Sequence, residues 1–369
     1  MKLERAYWLA WSQISGIGAV SLKKIDRHFG SLEKAWQADA IAFGEIEGLG
    51  NRVIKAVRDK RSKIEPEKIL EEHLTQNPNF WIPTDREYPR LLLETPSPPP
   101  LLYYSGKVEP QENQGITPAI AIVGTRNPTE YGKRWTKKIA TALVQHGFTI
   151  VSGMAAGVDT VAHHSCLSAK GRTIAVLGTG VDTVYPYSNR QLHQQLQKDG
   201  LILSEYTAGT TPERGHFPAR NRIIAGLCRA TIIIEAPKRS GALITARFAN
   251  EFGRDVYVLP GSLDNTQSLG CLALLNSGAH VILGIEHLLE LLGTMPCLDR
   301  LPPQQLELPQ LEPNLADIYQ LINQESLPLD IIVERIGKNT GEILASLSQL
   351  ELLDLIVQLP GMRYQIKER

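Results

Sequence analysis

The residues best suited to chemistry in this sequence include glycines in short loops, a pattern that favours phosphate binding. Residues 152–159 read SGMAAGVD, in which Ser152 and Gly153 open the loop and Gly157 closes it. Glycines permit a close approach of the main chain to a ligand, and the amides of a helix that starts near residue 158 attract anions. The loop does not complete the dinucleotide-binding pattern G-x-G-x-x-G. Taken alone, its glycines have the alternative role of forming a tight turn.

A second loop of this kind, residues 124–126, reads GTR, where Gly124 and Thr125 precede a cation. It is one of four loops that carry cations, so these side chains should form a stripe rather than a point. A mononucleotide would use one or two of them, whereas a nucleic-acid backbone uses many. The candidate contacts in this stripe are Arg126, Arg190, Arg214, Arg220, Asn221, Arg222, Lys238 and Arg239.

Aromatic residues are interleaved with these cations, as stacking surfaces for unpaired bases would be. Tyr185, Tyr187 and Phe217 are the candidates, and each has the alternative role of a core contact. Phe217, which lies between His216 and Pro218, is the best stacking candidate. The combination of cations and rings favours a single-stranded nucleic acid as the ligand.

Titratable residues in the same loops give little support to a metal site or to catalysis. His163 and His164 are adjacent, so they point to different helix faces, and no zinc-ligand spacing accompanies them. Asp159, Glu205 and Glu235 are candidate acids and bases. We favour a structural interpretation, in which Asp159 serves the first turn of a helix and the two glutamates hold arginines in place. We expect no metal, no cofactor and no enzymatic activity.

Charge is distributed unevenly along the chain. The whole sequence has 39 Lys and Arg and 39 Asp and Glu, whereas residues 119–255 have 17 against 9, a net charge of 17 − 9 = +8. Residues 314–369 have 5 against 8, a net charge of 5 − 8 = −3. The middle of the chain is therefore the expected polyanion-binding region.

The elements that must position these residues are strands and helices in alternation between residues 119 and 293. This pattern predicts βαβ units in a doubly wound, mostly parallel sheet, an α/β fold of the Rossmann-like class. Each glycine-rich or arginine-rich stretch directly follows a predicted strand. Because ligands bind outside the carboxyl ends of parallel strands, we expect all of these stretches on one rim of the sheet. The predicted strands read AIAIV, FTIV, TIAVL, LILS, ATIII, DVYVL and HVI.

Residues 1–78 are predicted to form a helical domain of the SAM-like type. Residues 15–25 and 47–57 each place a Gly-x-Gly turn before a helical pattern, which resembles a pair of helix-hairpin-helix elements. The amides of these turns are suited to contact a phosphate, and the alternative is that the turns only join helices.

The remaining boundaries follow from proline-rich stretches. Residues 79–295 are assigned to the Rossmann-like domain, with residues 81–118 as an extended connector packed on it, and residues 296–312 to a linker. Residues 313–369 are predicted to form a winged-helix domain that ends in a β-ribbon. Its helices are expected at residues 315–324, 329–336 and 340–350.

The cysteines and the apolar stretches of the sequence indicate where in the cell the protein is expected. Cys166, Cys228, Cys271 and Cys297 form no C-x-x-C pair, so buried thiols are expected rather than disulfides or a zinc cluster. No stretch is typical of a signal peptide or a membrane span. A cytoplasmic protein is the expectation.

Seven ordered motifs between about residues 88 and 293 resemble the DprA (Smf) family of DNA-processing proteins. They include GTR, SGMAAGVD, GTGVDTVYP, SEY, HFPARNRIIAGL, EAPKRSGALITA and GRDVYVLPG. The resemblance implies a protein of natural transformation that protects incoming single-stranded DNA and loads the recombinase RecA onto it. It also implies a homodimer formed through the Rossmann-like domain, with the dimer surface near residues 272–280.

The resemblance also implies roles for single residues. Arg126 matches the family's Gly-x-Arg arginine, which is proposed to bind DNA phosphate, and the run from Arg220 to Arg222 matches its Arg-Asn-Arg sequence. Arg214 stands where the family has a lysine three residues before the phenylalanine, so the charge is kept and the donor geometry is changed.

Two other functions are alternatives to DNA processing. Phosphoribohydrolases of the LOG type share the architecture, but their P-G-G-x-G-T loop is missing from EAPKRSGALITA. A sequence-specific transcription regulator would read DNA through the winged helix. The corresponding recognition segment, TGEILASLSQLELL, has no lysine or arginine and carries Glu342 and Glu351, which disfavours DNA reading.

Overall fold

The structure is a computed structural model that describes residues 2–293, 313–322, 327–352, 355–359 and 362–366. It divides into two compact units, Met1–Asp299 and Arg300–Arg369. No helix in the described ranges is long and apolar enough to cross a membrane. Cys166, Cys228 and Cys271 are free and buried, as expected, and Cys297 lies outside the described residues.

The first unit begins with a helical module whose core surrounds Trp11, which donates from its indole nitrogen to the carbonyl of Leu32 at 3.0 Å. A 3₁₀-helix, Ala40–Glu45, precedes the second Gly-x-Gly turn. Gly16 and Gly48 adopt positive φ angles of 88° and 76°, which lets the chain turn sharply before the next helix. The helices are α1 (Lys2–Ser12), α2 (Ala19–Phe29), α3 (Leu32–Gln37), α4 (Asn51–Arg61) and α5 (Pro66–Gln76).

The proline-rich segment predicted as a connector contributes two strands to the sheet. The longer of the two, residues 102–106, forms where the segment is free of proline, between Pro100 and Pro110, so its amides can pair. Its elements are β1 (Phe80–Trp81), α6 (Arg90–Leu93), β2 (Leu102–Gly106) and α7 (Pro110–Asn113). Phe80 and Tyr103 also pack into the core of the helical module, so that module and the sheet share one apolar cluster.

The central sheet has nine strands in the order β1-β2-β6-β5-β4-β3-β7-β8-β9. The pairs from β6 to β9 are parallel, and β2 pairs antiparallel with β6. All seven predicted strands are confirmed, and they are apolar because both faces of the sheet are covered. They are β3 (Ala119–Val123), β4 (Thr149–Ser152), β5 (Thr173–Leu177), β6 (Leu201–Ser204), β7 (Ala230–Ile233), β8 (Asp255–Val258) and β9 (His280–Val281).

Helices cover both faces and set the direction of the connections. The chain runs outward from β3 to β6 and then crosses back to β7, so the strand order reverses between β3 and β7. Loops that leave adjacent strands in opposite directions open a crevice at the carboxyl edge. The helices are α8 (Glu130–Gln145), α9 (Val158–Ser168), α10 (Arg190–Asp199), α11 (His216–Leu227), α12 (Ala242–Glu251), α13 (Leu269–Leu275) and α14 (Ile285–Gly293).

The second unit has the predicted winged-helix pattern, with a core around Ile332 and Leu347. Its strands pair in the order β10-β12-β11. Asn339 and Glu342 exchange hydrogen bonds of 2.7 and 2.9 Å at the start of the recognition helix, which engages that glutamate in helix capping. The elements are α15 (Pro313–Ile322), β10 (Leu327–Pro328), α16 (Leu329–Ile336), α17 (Thr340–Leu352), β11 (Ile356–Leu359) and β12 (Arg363–Ile366).

Candidate nucleic-acid interface

A cleft of about 530 Å³ lies at the crevice between the loops that follow β3 and β7. The first turn of α11 forms its third side. The predicted site residues that line it are Gly124, Thr125, Arg126, Tyr185, Arg214, Phe217, Arg220 and Asn221. Residues from three separate strand-end loops therefore meet in one place, where the topology predicts a ligand site.

One arginine and two rings are grouped at the mouth of the cleft. Cζ of Arg126 lies 5.5 Å from the ring centroid of Phe217, within cation–π distance. The rings of Phe217 and Tyr185 have centroids 5.3 Å apart and an interplanar angle of 33°. Tyr185 is 38% exposed, so part of its side chain is open to solvent. A smaller pocket of about 50 Å³ adjoins these three residues.

The exposed cations of the rim are not neutralised by any carboxylate among the described residues. Arg126 and Arg214 line the cleft, while Arg190, Lys238 and Arg239 are exposed on the rim outside it. Within the described parts of the chain, none of the five forms an ion pair with a carboxylate. Their charge is therefore available to an external anion.

Arg220 differs from the prediction that it contacts phosphate, because the fold buries it at 4% exposure. Its guanidinium donates to the carbonyl of Gly153 at 2.7 Å and to the carbonyl of Val176. Its Nε donates to Asn221 Oδ1 at 3.1 Å. With these acceptors the side chain ties the ends of β4 and β5 together beneath the cleft.

Arg222 is also engaged inside the protein. It forms an ion pair with Glu205 and donates to the carbonyl of Ser97 at 2.8 Å. Burial raises the pKa of the Glu205 carboxyl, and Arg222 offsets part of that rise. Glu205 thus holds an arginine, as predicted. Glu235 does not: its carboxylate accepts from the amide and hydroxyl of Thr129 at 2.8 and 2.6 Å, so the prediction for that glutamate is wrong.

Three amides of the SGMAAGVD loop, including the one at the start of the helix, are used within the protein, contrary to the prediction that they face a ligand. The amides of Gly153 and Ala155 donate to Asp159 Oδ2 at 3.1 and 3.4 Å, and that of Val158 donates to the carbonyl of Thr125 at 3.2 Å. The carboxylate of Asp159 occupies the position that an external anion would take. It lies in the first turn of α9, as expected.

The glycines of this loop are required by internal packing instead. An added Cβ at Gly153 would lie 2.4 Å from Cζ of Arg220, and one at Gly157, where φ is 89°, would lie 2.5 Å from the carbonyl oxygen of Arg126. Ser152 is buried and donates to the carbonyl of Ile122 at 2.6 Å. Gly153 and Gly157 thus pack directly against Arg220 and Arg126, which line the cleft.

A buried polar network surrounds Arg220. Burial raises the pKa of Asp159 against the opposing effect of Arg220, whose own pKa falls to about 10, chiefly through burial. Burial, together with the charges of His164 and Arg220, lowers the pKa of His163 to about 3. His163 is therefore a neutral core residue, with Nδ1 at 2.8 Å from the hydroxyl of Thr173.

The sequence reasoning missed one wall of the cleft, which the start of α12 forms. Asn221 donates to the carbonyl of Gly241 at 3.1 Å and joins α11 to this wall. The missed residues are Pro237, Ser240, Gly241 and Thr245. The signal that marks most of them is the Ser-Gly pair ahead of a helix at the end of EAPKRSG.

Comparison with known proteins identifies the family. The family model for DNA recombination-mediator protein A matches residues 79–293, and that for the DprA winged helix domain matches residues 302–362. The chain belongs to the DprA (Smf) family. Protein Smf of Synechocystis is 51% identical over 98% of this chain and 98% of its own length.

Two solved DprA structures are similar to this chain. DNA processing protein A of Streptococcus pneumoniae has a TM-score of 0.67 at 34% identity and covers 79% of this chain and 97% of its own. That of Helicobacter pylori has a TM-score of 0.51 at 36% identity and covers 55% of this chain and 92% of its own. The second structure concerns a single-stranded DNA binding mode of the Helicobacter protein.

Proposed function

We propose that this protein binds single-stranded DNA at the cleft between the β3 and β7 loops and acts in DNA processing. The observation that carries the proposal is the grouping of Arg126, Phe217 and Tyr185 at the mouth of the cleft. An unpaired guanidinium suits a phosphate, and adjacent rings with an exposed edge suit an unstacked base. The DNA-binding mode described for the Helicobacter relative supports the same ligand.

The proposed contacts are the members of the predicted set that the fold leaves exposed or partly exposed. Arg126, Arg214 and Asn221 serve the sugar-phosphate backbone, and Tyr185 and Phe217 serve the bases. Arg190, Lys238 and Arg239 extend the positive surface on either side. Gly124 and Thr125 shape the wall, while Ser152, Gly153, Gly157, Arg220 and Arg222 hold the cleft from within.

The family membership supports a more specific role. We propose that the protein protects incoming single-stranded DNA in natural transformation and loads RecA onto it, as a cytoplasmic homodimer formed through the Rossmann-like domain. The division into residues 1–78, 79–295, 296–312 and 313–369 stays our proposal for its domains. Repeating the binding experiments with RecA present tests the loading step, because RecA should assemble faster on DNA that carries the wild-type protein.

The direct test is a salt-dependent titration with thymidine oligonucleotides and a matched duplex. Wild-type protein should prefer the single strand, and its affinity should fall steeply as salt rises. Arg126→Ala and Arg214→Ala should each lower affinity about tenfold for all sequences. Arg247→Ala, which removes an exposed arginine of α12 that pairs with Glu251, is the matched control. Wild-type affinity in both cleft variants would reject the proposal.

An enzymatic function of the phosphoribohydrolase type is not favoured. It would need a free carboxylate in the cleft, whereas Asp159 and Glu235 are 6% and 1% exposed and accept hydrogen bonds from the protein itself. We infer that the protein binds rather than transforms its ligand. A nucleoside-monophosphate cleavage assay separates the two, and turnover abolished by Asp159→Asn or Glu235→Gln would favour the enzyme.

A further inference from the structure

The exposed face of α8 is strongly basic and lies outside the cleft. Lys133, Arg134, Lys137 and Lys138 are all exposed, and we call these four residues the α8 basic face. At about 100° per residue they span an arc of about 140° around the helix, so they share one side. Glu130 is the one acidic residue in the helix.

Little in the protein neutralises this face. Lys133 pairs with Glu130 at 2.8 Å, but the two side chains are 47% and 86% exposed, so solvent screens the pair. Within the described residues no carboxylate forms an ion pair with Arg134, Lys137 or Lys138. The neighbouring helix α14 has Glu286 and Glu290 and no lysine or arginine, so it adds no lysine or arginine to this face.

Two rings of the same helix hold the cations in place. Cζ of Arg134 lies 5.8 Å from the ring centroid of Tyr131, and Nζ of Lys138 lies 5.2 Å from that of Trp135. The hydroxyl of Tyr131 donates to the carbonyl of Pro260 at 2.9 Å, which fixes that ring against the sheet. Cation–π contacts of this kind reduce the side-chain freedom that would be lost on binding a ligand.

The start of α8 belongs to the rim of the cleft. The loop that carries Arg126 leads directly into the helix, and the bonds from Thr129 to Glu235 fix its first turn beside the end of β7. From residue 130 to Lys138 the helix rises about 12 Å. The α8 basic face therefore begins next to the cleft and leads away from it.

We propose that the α8 basic face binds the sugar-phosphate backbone of the DNA strand after it leaves the cleft. An acidic protein is the less suitable partner, because protein interfaces need an apolar centre and no large apolar side chain of α8 is among the exposed ones in the described residues. Cations at positions i and i+4 repeat about every 6 Å, which suits a linear polyanion. The inference rests on the proposed function and extends its binding site.

The test compares thymidine oligonucleotides of about 6 and about 25 nucleotides, the shorter chosen to fill the cleft alone. The variants are Lys137→Ala with Lys138→Ala, Arg126→Ala, and a control with Lys198→Ala and Arg247→Ala. The control removes two exposed cations from α10 and α12, so its net charge matches that of the α8 variant. Alanine suits exposed helix positions, so all of the α8 changes should fold.

We expect the α8 double variant to bind the longer oligonucleotide about tenfold more weakly and the shorter one like wild type. The slope of log affinity against log salt for the longer strand should fall in magnitude by about 1.4, which corresponds to two lost phosphate contacts. Arg126→Ala should weaken both lengths, and the control should weaken neither.

Four results would overturn the inference. An equal loss of affinity in the control and in the α8 variant would mean that only net charge matters. If the α8 variant lost the same affinity for the short and the long oligonucleotide, its residues would act at the cleft itself. Wild-type affinity of the α8 variant for the longer strand, with Arg126→Ala impaired, would reject the α8 basic face and keep the cleft. Failure of the wild-type protein to bind either length would reject the proposed function as well.

Discussion

The exposed and buried arginines of the cleft belong to the same rim but have opposite physical roles. Arg126 and Arg214 are exposed and have no carboxylate partner among the described residues. Arg220 is 4% exposed and donates to main-chain carbonyls, and Arg222 pairs with Glu205. A buried charge must find partners inside the protein, whereas an exposed one keeps its capacity for a ligand. An arginine in a ligand-binding loop is therefore a contact only where the fold leaves it unpaired.

The largest expected effect is the loss of stability when a buried arginine is replaced. Arg220→Ala should lower the free energy of unfolding by about 3 to 5 kcal/mol, because it leaves Asp159 buried without its compensating charge. Chemical denaturation of the variant and of wild type measures the loss. Arg126→Ala is the matched arginine variant at the exposed side. Equal stability of Arg220→Ala and wild type would remove the distinction between the two groups.

The rings at the mouth should give the next largest effect, on binding rather than on stability. Phe217→Ala should weaken single-stranded DNA binding by about 1 to 3 kcal/mol, the usual contribution of one stacked base. Tyr187→Ala is the control, since Tyr187 follows β5, as Tyr185 does, but is 73% exposed and does not line the cleft. Fluorescence titration with a thymidine oligonucleotide compares the two variants. Similar losses in both would argue against a specific stacking site.

The buried network should also make stability depend on pH. The pKa of His163 falls from 6.5 to about 3 on folding, so the unfolded chain binds a proton first and stability is lost as pH falls below about 6.5. This contribution amounts to about 2 kcal/mol between pH 6.5 and 5. Asp159, whose pKa is raised, acts in the opposite direction. The difference between wild type and His163→Asn, measured by denaturation across this range, isolates the histidine, and parallel curves would contradict the prediction.

The smallest expected effect is that of replacing an exposed arginine on the stability of the protein. Arg126→Ala should change the free energy of unfolding by less than about 0.5 kcal/mol, as surface substitutions usually do. The slope of its log affinity against log salt should nevertheless fall in magnitude by about 0.7, which corresponds to one lost phosphate contact. Thermal unfolding and salt titration of the same preparation measure both quantities. A clear loss of stability would mean that Arg126 also supports the fold.

Local pattern was sufficient to predict the main elements of the fold. Runs such as AIAIV and ATIII bury side chains on both faces of a sheet wherever they lie, so all seven strands could be recognised. The pairing of β2 could not, because it depends on a partner, β6, about 100 residues away. The carboxyl-edge rule placed the loops on one rim, but it did not say which loops would form the cleft.

The sequence by itself determined the family, the α/β class and the set of residues at the rim. Only the tertiary structure decided which of them face solvent. Arg126 and Arg220 are the same residue type, and their environments differ because strand order places β3 beside β7 and packs α11 over the ends of β4 and β5. Burial and hydrogen-bond partners arise from contacts between distant segments, so a pattern of neighbouring residues cannot specify them.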